Sequence, residues 1–255
     1  MISSIINTVL YPRPNPPHYS AKSHPNYLIW IPPNGSIPSI PCFYFQASPE
    51  RPLIIWSHGN GCDIGTMVPL LSLLNRTLSV NILIYEYPGY GLCVGQTPSE
   101  DKINRHTQQA YTFARSVLRF PPDRIVFYGH SIGSGTACMM VASLIQSRIP
   151  VGGLILQSPY QSLTDLVKQK AGVFRLFISE LGWNNINVIQ VITCPVLFIH
   201  GKQDDLISYD NSIKLYNACP SHKKQIVLID NADHNTIDTR TVLQAVQQFL
   251  YMYLH

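Results

Sequence analysis

A serine hydroxyl is a poor nucleophile until a neighbouring base takes its proton, and that base needs an acid to orient it. Three stretches of this chain offer those residue types at the ends of apolar runs. Ser131 stands in Gly129-His-Ser-Ile-Gly133, between the apolar run Ile125–Tyr128 and the small-residue run Thr136–Ala142. Asp204 and Asp205 follow Val196-Leu-Phe-Ile-His200. His234 follows Gln225-Ile-Val-Leu-Ile229, inside Asp230-Asn-Ala-Asp-His-Asn235. A serine, an acid and a histidine used together transfer an acyl group: the serine attacks a carbonyl, and water later releases the acyl-serine.

A bare G-x-S-x-G is a weak signal, and its context gives it weight. An apolar strand before it and a small-residue helix after it make a nucleophile elbow, in which a strained bend lifts the serine hydroxyl out of the sheet. Glycines flank the serine because a Cβ at Gly129 or Gly133 would collide across the turn. The order serine, acid, histidine, with the acid after a late strand and the histidine after the next, matches Ser131, Asp204 and His234. Asp204 is expected to orient His234, the general base. Asp205 is the rival acid, its other role being a solvated loop charge or a helix N-cap. Asp210 sits further into a helix start, and Asp233 adjoins the histidine it would have to face. Of the nine histidines, His58, His130 and His200 also fall at strand ends. They read as packing or hydrogen-bonding residues, with His58 bracing the Gly59-Asn60 loop. The N–H groups of Ile132 and Asn60 are the expected oxyanion donors, the first at a helix start and the second in the loop after the third strand.

The elements that must position these groups alternate along the chain. Residues 1–25 carry Pro12, Pro14, Pro16, Pro17 and Pro25 and read as an extended arm or a loose tail. Residues 26–255 read as the folded domain. Tyr27–Ile31 and Ile40–Gln46 form an antiparallel pair about the Pro32-Pro33-Asn34-Gly35 turn. Strands follow at Leu53–Ser57, Asn81–Glu86, Ile125–Tyr128, Gly153–Gln157, Val196–His200 and Gln225–Ile229. Helices are expected at Thr66–Asn75, from the Ser99-Glu100 cap to Leu118, after the elbow, and at Thr241–Leu250. Strands alternating with helices make an α/β fold with a mostly parallel sheet covered on both faces. The long interruption at about 160–193 holds Phe174, Phe177 and Trp183 at helical spacing. It reads as a covering helix or as a minimal cap whose Phe174 and Phe177 line an acyl pocket, with Tyr90 as a further candidate for the lining.

Composition narrows the classes. The 255 residues are 45% hydrophobic and 13% charged, with a net charge of +4 and no Lys/Arg cluster, so no nucleic-acid footprint is present. The six cysteines are scattered without a C-x-x-C pair, which argues against a metal site or a disulfide framework, and no cofactor is expected. No run approaches a membrane span, and Ile2 rather than glycine follows Met1, so myristoylation is not expected. The expectation is a cytoplasmic protein with at most a peripheral membrane contact through its N-terminal end.

Taken in order, His58-Gly-Asn-Gly61, Tyr87-Pro-Gly-Tyr-Gly91, Gly95-Gln-Thr-Pro-Ser-Glu100, Gly129-His-Ser-Ile-Gly-Ser-Gly135, His200-Gly-Lys-Gln-Asp-Asp205 and His234-Asn235 resemble the α/β-hydrolase superfamily. Within it the set is similar to the α/β-hydrolase-domain family seventeen, which includes protein depalmitoylases. The resemblance covers about residues 25–250. It implies an eight-stranded sheet, catalytic roles for Ser131, Asp204 and His234, and an ester or thioester substrate, which in this family includes lipidated protein. A serine peptidase of the same fold and a non-catalytic binding protein are the alternative readings.

Overall fold

The computed structural model describes residues 10–170 and 182–254. Phe174, Phe177 and the middle of the expected cap, residues 171–181, lie outside the described residues, as does the start of the arm. Among the described residues eight strands form a mostly parallel sheet accompanied by helices. The chain divides into two compact units, Met1–Ile125 and Val126–His255.

In the first unit β1 (Leu28–Ile31) pairs antiparallel with β2 (Ile40–Phe45), β2 antiparallel with β4 (Asn81–Tyr85), and β4 parallel with β3 (Leu53–Ser57). Every residue of β3 and β4 is buried, as expected of apolar runs covered on both faces. Between β3 and β4 lies α1 (Val68–Leu78), which turns Val68, Leu71, Leu74 and Leu78 inward. It starts later than its apolar pattern suggested, because two turns, Met67 N–H to the Ile64 carbonyl and Val68 N–H to the Gly65 carbonyl, precede it. After β4 comes α2 (Glu100–Ser116), capped by Ser99, whose side chain accepts from Lys102 N–H.

From residue 10 the arm is laid against this unit. Asn60 Nδ2 donates to the Leu10 carbonyl at 2.7 Å and Gly61 N–H to the Pro12 carbonyl at 2.9 Å. His18 N–H donates to Asp63 Oδ2 at 2.7 Å, and the buried Tyr19 hydroxyl donates to Glu86 Oε2 at 3.0 Å. Prolines leave the arm no ladder of its own, so side chains and single carbonyls anchor it.

In the second unit β5 (Ile125–His130), β6 (Gly153–Gln157), β7 (Val196–Gly201) and β8 (Lys224–Ile229) pair in parallel in that order. α3 (Gly133–Gln146) follows β5 and opens with buried small residues, Gly133 to Ala137. Their size permits close packing: a Cβ on Gly135 would sit 2.4 Å from both Trp183 Cγ and the Tyr160 hydroxyl. α4 (Leu163–Lys170) lies where the interruption begins, and α5 (Asn185–Val188) is a single turn past it. α6 (Asp210–Ala218) joins β7 to β8. The closing helix α7 (Thr239–Tyr253) is longer than its apolar pattern indicated, because Asp238 caps it by accepting from Thr241 N–H. It buries Val242, Ala245, Val246, Phe249 and Leu250. The six cysteines are free. Among the described residues no helix is long and apolar enough to cross a membrane, and no group of His, Cys, Asp or Glu could hold a metal ion.

Candidate active site

β5 delivers the chain to Ser131 at a bend whose φ is +53°, in the left-handed region that costs an ordinary residue about 1–3 kcal/mol. Neighbours on both sides hold the bend. Ser131 N–H donates to the Gln157 carbonyl at the end of β6 (2.9 Å). The Ser131 carbonyl accepts from Ser134 N–H at 3.0 Å and from the Ser134 hydroxyl at 2.6 Å. Gly129 must lack a Cβ, which would fall 2.6 Å from Ser134 Cα and 2.7 Å from the Gly133 carbonyl oxygen. Ile132 immediately precedes α3, at the end of a helix where N–H groups have no intrahelical acceptor and attract negative charge.

The loop after β7 carries the candidate acid. Asp204 is buried, and its Oδ1 accepts from Leu206 N–H at 2.9 Å and Ile207 N–H at 2.7 Å. Its Oδ2 faces two imidazoles, His234 Nδ1 at 2.6 Å and His200 Nε2 at 3.2 Å. Burial pushes this carboxyl upward. The hydrogen bonds from His200, His234 and Ile207 N–H outweigh burial and hold it well below the usual carboxylate range. Its rivals are placed differently. Asp205 and Asp210 are exposed. Asp233 is also exposed and accepts from Asn235 N–H and Thr236 N–H. Those two bonds with the Thr236 hydroxyl, the Asn235 bond foremost, lower its pKa.

His234 lies beyond β8 and is buried. An ionised carboxylate only accepts, so the contact with Asp204 puts the ring proton on Nδ1. Nε2 then presents its lone pair to Ser131 Oγ at 3.0 Å, within reach for proton transfer. The His130 ring stacks against that of His234 with centroids 5.6 Å apart. The second unit therefore brings Ser131, His234 and Asp204 into one hydrogen-bonded line, in which a base can take the serine proton while a fixed carboxylate stabilises the resulting imidazolium.

Asn60 and Tyr90 belong to the first unit and are joined there. The Tyr90 hydroxyl donates to Asn60 Oδ1 at 2.9 Å, while Asn60 Nδ2 is held by the Leu10 carbonyl. Both polar ends of the Asn60 side chain are thus engaged. Tyr90 is completely buried, its ring set edge-on to His58 and Tyr87. Burial, with Glu86 nearby, raises the Tyr90 hydroxyl pKa and keeps it neutral.

Two groups around these loops, Glu86 and Ser212, escaped sequence reasoning. Glu86 is buried at the end of β4 and takes donors from His58 Nε2, Tyr19, Ile64 N–H and Tyr87 N–H. A single acid closing the run Asn81-Ile-Leu-Ile-Tyr was the available signal. His58 Nδ1 contacts the Gly59 carbonyl at 2.9 Å, so the ring ties that loop to Glu86. The contact of His200 with Asp204, and that of Ser212 with His200 at 2.7 Å, had no signal in the spacing.

Residues 182–239 match the sequence model of the serine aminopeptidase, S33, family. The chain is 30% identical over 226 residues to α/β-hydrolase domain-containing protein 17C of Xenopus laevis, covering 87% of this chain and 68% of that protein. To the Xenopus tropicalis protein of the same name it is 30% identical over 214 residues, covering 82% of this chain and 65% of the relative. This chain thus spans about two thirds of the length of these relatives. Among solved structures, the Pyrococcus furiosus esterase Pf2001 superposes with a TM-score of 0.75 at 15% identity, over 96% of this chain and 99% of that one. At that identity the likeness is one of fold.

Proposed function

The chain belongs to the family of the α/β-hydrolase domain-containing 17 proteins, and from that premise we propose that it is a serine hydrolase that cleaves carboxylic esters or thioesters. The observation that carries this reading is the line Ser131 Oγ, His234 Nε2, His234 Nδ1, Asp204 Oδ2, with contacts of 3.0 and 2.6 Å, built on a serine held at positive φ.

Ser131 Oγ attacks the acyl carbonyl carbon as His234 Nε2 takes its proton. The carbonyl oxygen gathers the negative charge, which the N–H of Ile132, next to the nucleophile at the start of α3, receives. Collapse of the tetrahedral adduct breaks the bond to the leaving oxygen or sulfur, and His234 returns the proton to it. The alcohol or thiol departs and leaves acyl-Ser131. Water then repeats the sequence, with His234 as its base, to release the carboxylic acid and restore the hydroxyl. Asp204 keeps the Nδ1–H tautomer throughout and stays ionised.

Two supports favour an acyl substrate. The relatives carry the hydrolase name, and an esterase shares the fold. A lipidated protein is a substrate of fitting chemistry, since a long acyl thioester presents the same carbonyl, and Phe174 and Phe177 are the candidates for its pocket. The match of residues 182–239 to a serine aminopeptidase family favours a second reading, hydrolysis of a peptide amide by the same groups.

Labelling with a fluorophosphonate probe tests the reading. Wild type should label covalently and Ser131→Ala should not, with both unfolding at nearly the same temperature. A panel of p-nitrophenyl esters, acyl thioesters and aminoacyl amides then separates the two readings. Ester or thioester turnover far above amide turnover supports the first, and the reverse supports the second. A folded wild type that neither labels nor turns over any of the three is a binding protein rather than a hydrolase.

A further inference from the structure

Asp204 Oδ2 is shared by two imidazoles, and only one of them faces the serine. We propose that His200 and Ser212 are positioning residues for the reaction, holding the Asp204 carboxylate against His234; the inference rests on the roles given above to Ser131, His234 and Asp204.

His200 is completely buried at the end of β7. Its Nε2 lies 2.8 Å from the Ile207 carbonyl, which can only accept, so this nitrogen carries the proton. The same N–H gives a longer share, 3.2 Å, to Asp204 Oδ2. Nδ1 is left with its lone pair 2.7 Å from Ser212 Oγ, and the buried Ser212 hydroxyl donates to it. Ser212 lies in the first turn of α6. A continuous line therefore runs from α6 through the end of β7 and the acid to the candidate base and nucleophile: Ser212, His200, Asp204, His234, Ser131.

Each link removes a freedom that the chemistry cannot tolerate. The backbone donors Leu206 N–H and Ile207 N–H hold Oδ1, which leaves the carboxylate free to swing about that point. His200 supplies the donor on the other oxygen and pins the loop at Ile207 with the same N–H. Ser212 fixes the ring and its tautomer; an imidazole protonated on Nδ1 instead would turn a lone pair toward the carboxylate and repel it. A carboxylate that swings lengthens the 2.6 Å contact with His234 and lets that ring turn or change tautomer, the fault that costs triads most of their rate.

A double-mutant cycle with a p-nitrophenyl ester tests the proposal. His200→Leu should lower kcat by a few-fold to about a hundredfold, the span expected for directly coupled residues, and leave KM unchanged. His200→Gln, whose amide nitrogen can reach the position of Nε2, should recover most of that rate. On an Asp204→Asn background His200→Leu should change nothing further, because the group it acts through is gone. Ser212→Ala removes one hydroxyl and leaves the ring in place. It should show the same pattern at smaller amplitude, and it decides the matter if His200→Leu does not fold. Where turnover is too slow to follow, the rate of fluorophosphonate labelling gives the same comparison. Equal losses with and without the Asp204 carboxylate, or a rise in KM at constant kcat, would overturn the proposal and leave His200 and Ser212 as packing residues. Wild-type turnover in Asp204→Asn or in Ser131→Ala overturns the underlying reading instead, and the inference with it.

Discussion

Two adjacent carboxylates, Asp204 and Asp205, differ only in where the loop after β7 turns them. Asp204 is buried and surrounded by donors, whereas Asp205 is exposed. Asp204→Asn keeps the volume but can present an amide N–H₂ toward His234 Nδ1, which forces the wrong tautomer and turns the proton away from the base. Turnover should fall by about four orders of magnitude, as tautomer loss does in other triads. Asp205→Asn should lower it by less than about tenfold, the effect of removing a charge that water screens. Steady-state kcat values for the two variants, each checked for a native unfolding transition, decide the assignment. The reverse ranking would make Asp205 the acid.

At the scale of elements, the arm from residue 10 is tied to two loops, those after β3 and β4. Between residues 10 and 19 it contacts Asn60, Gly61, Asp63 and Glu86, so it braces the loop that offers the candidate Asn60 donor. Tyr19 is its innermost anchor: the hydroxyl donates to Glu86 Oε2 and accepts from Leu92 N–H at 3.2 Å. Burial, then the neighbouring Glu86, pushes the Tyr19 pKa far up, so the hydroxyl stays a donor. Tyr19→Phe takes the acceptor from the half-buried Leu92 N–H and removes one donor from a buried carboxylate, a defect worth about 1–3 kcal/mol. The urea midpoint should shift down with an unchanged slope. A midpoint equal to that of wild type would show that the arm contributes nothing to this unit.

Across the whole molecule, what the sequence disclosed follows the range of the forces involved. Strands such as Leu53–Ser57 and Gly153–Gln157 were legible to the residue because burial on both faces demands continuous apolar runs. Helix ends were less so, since caps such as Asp238 rather than apolar spacing set them. The types and order of Ser131, Asp204 and His234 could be read because each closes or follows an apolar run. The links from Tyr19 to Glu86 and from Ser212 to His200 could not, because hydrogen-bond partners chosen by tertiary packing leave no period in the chain.

The same buried polar groups make acid the weak side of the fold. His106 in α2 is buried, which lowers its pKa, while its contact with the Glu86 carbonyl opposes the shift. The unfolded chain protonates that histidine near pH 6.5 and the folded one only lower, so stability falls as pH drops below about 6.5. Asp204 is also depressed, so its contribution is present above the unfolded carboxylate value, about 4, and is lost as pH falls through its lower folded value. Burial raises Glu100, with Asp101 adding to the shift, and this works in the opposite sense, favouring the folded state as pH falls toward its folded value. The wild-type urea midpoint should therefore drop in two stages, from about pH 6.5 and again below about pH 4. His106→Asn, which can still offer an N–H to the Glu86 carbonyl, should flatten the first stage, and Asp204→Asn the second. A midpoint that holds or rises between pH 7 and pH 5 would mean that His106 accepts its proton within the fold.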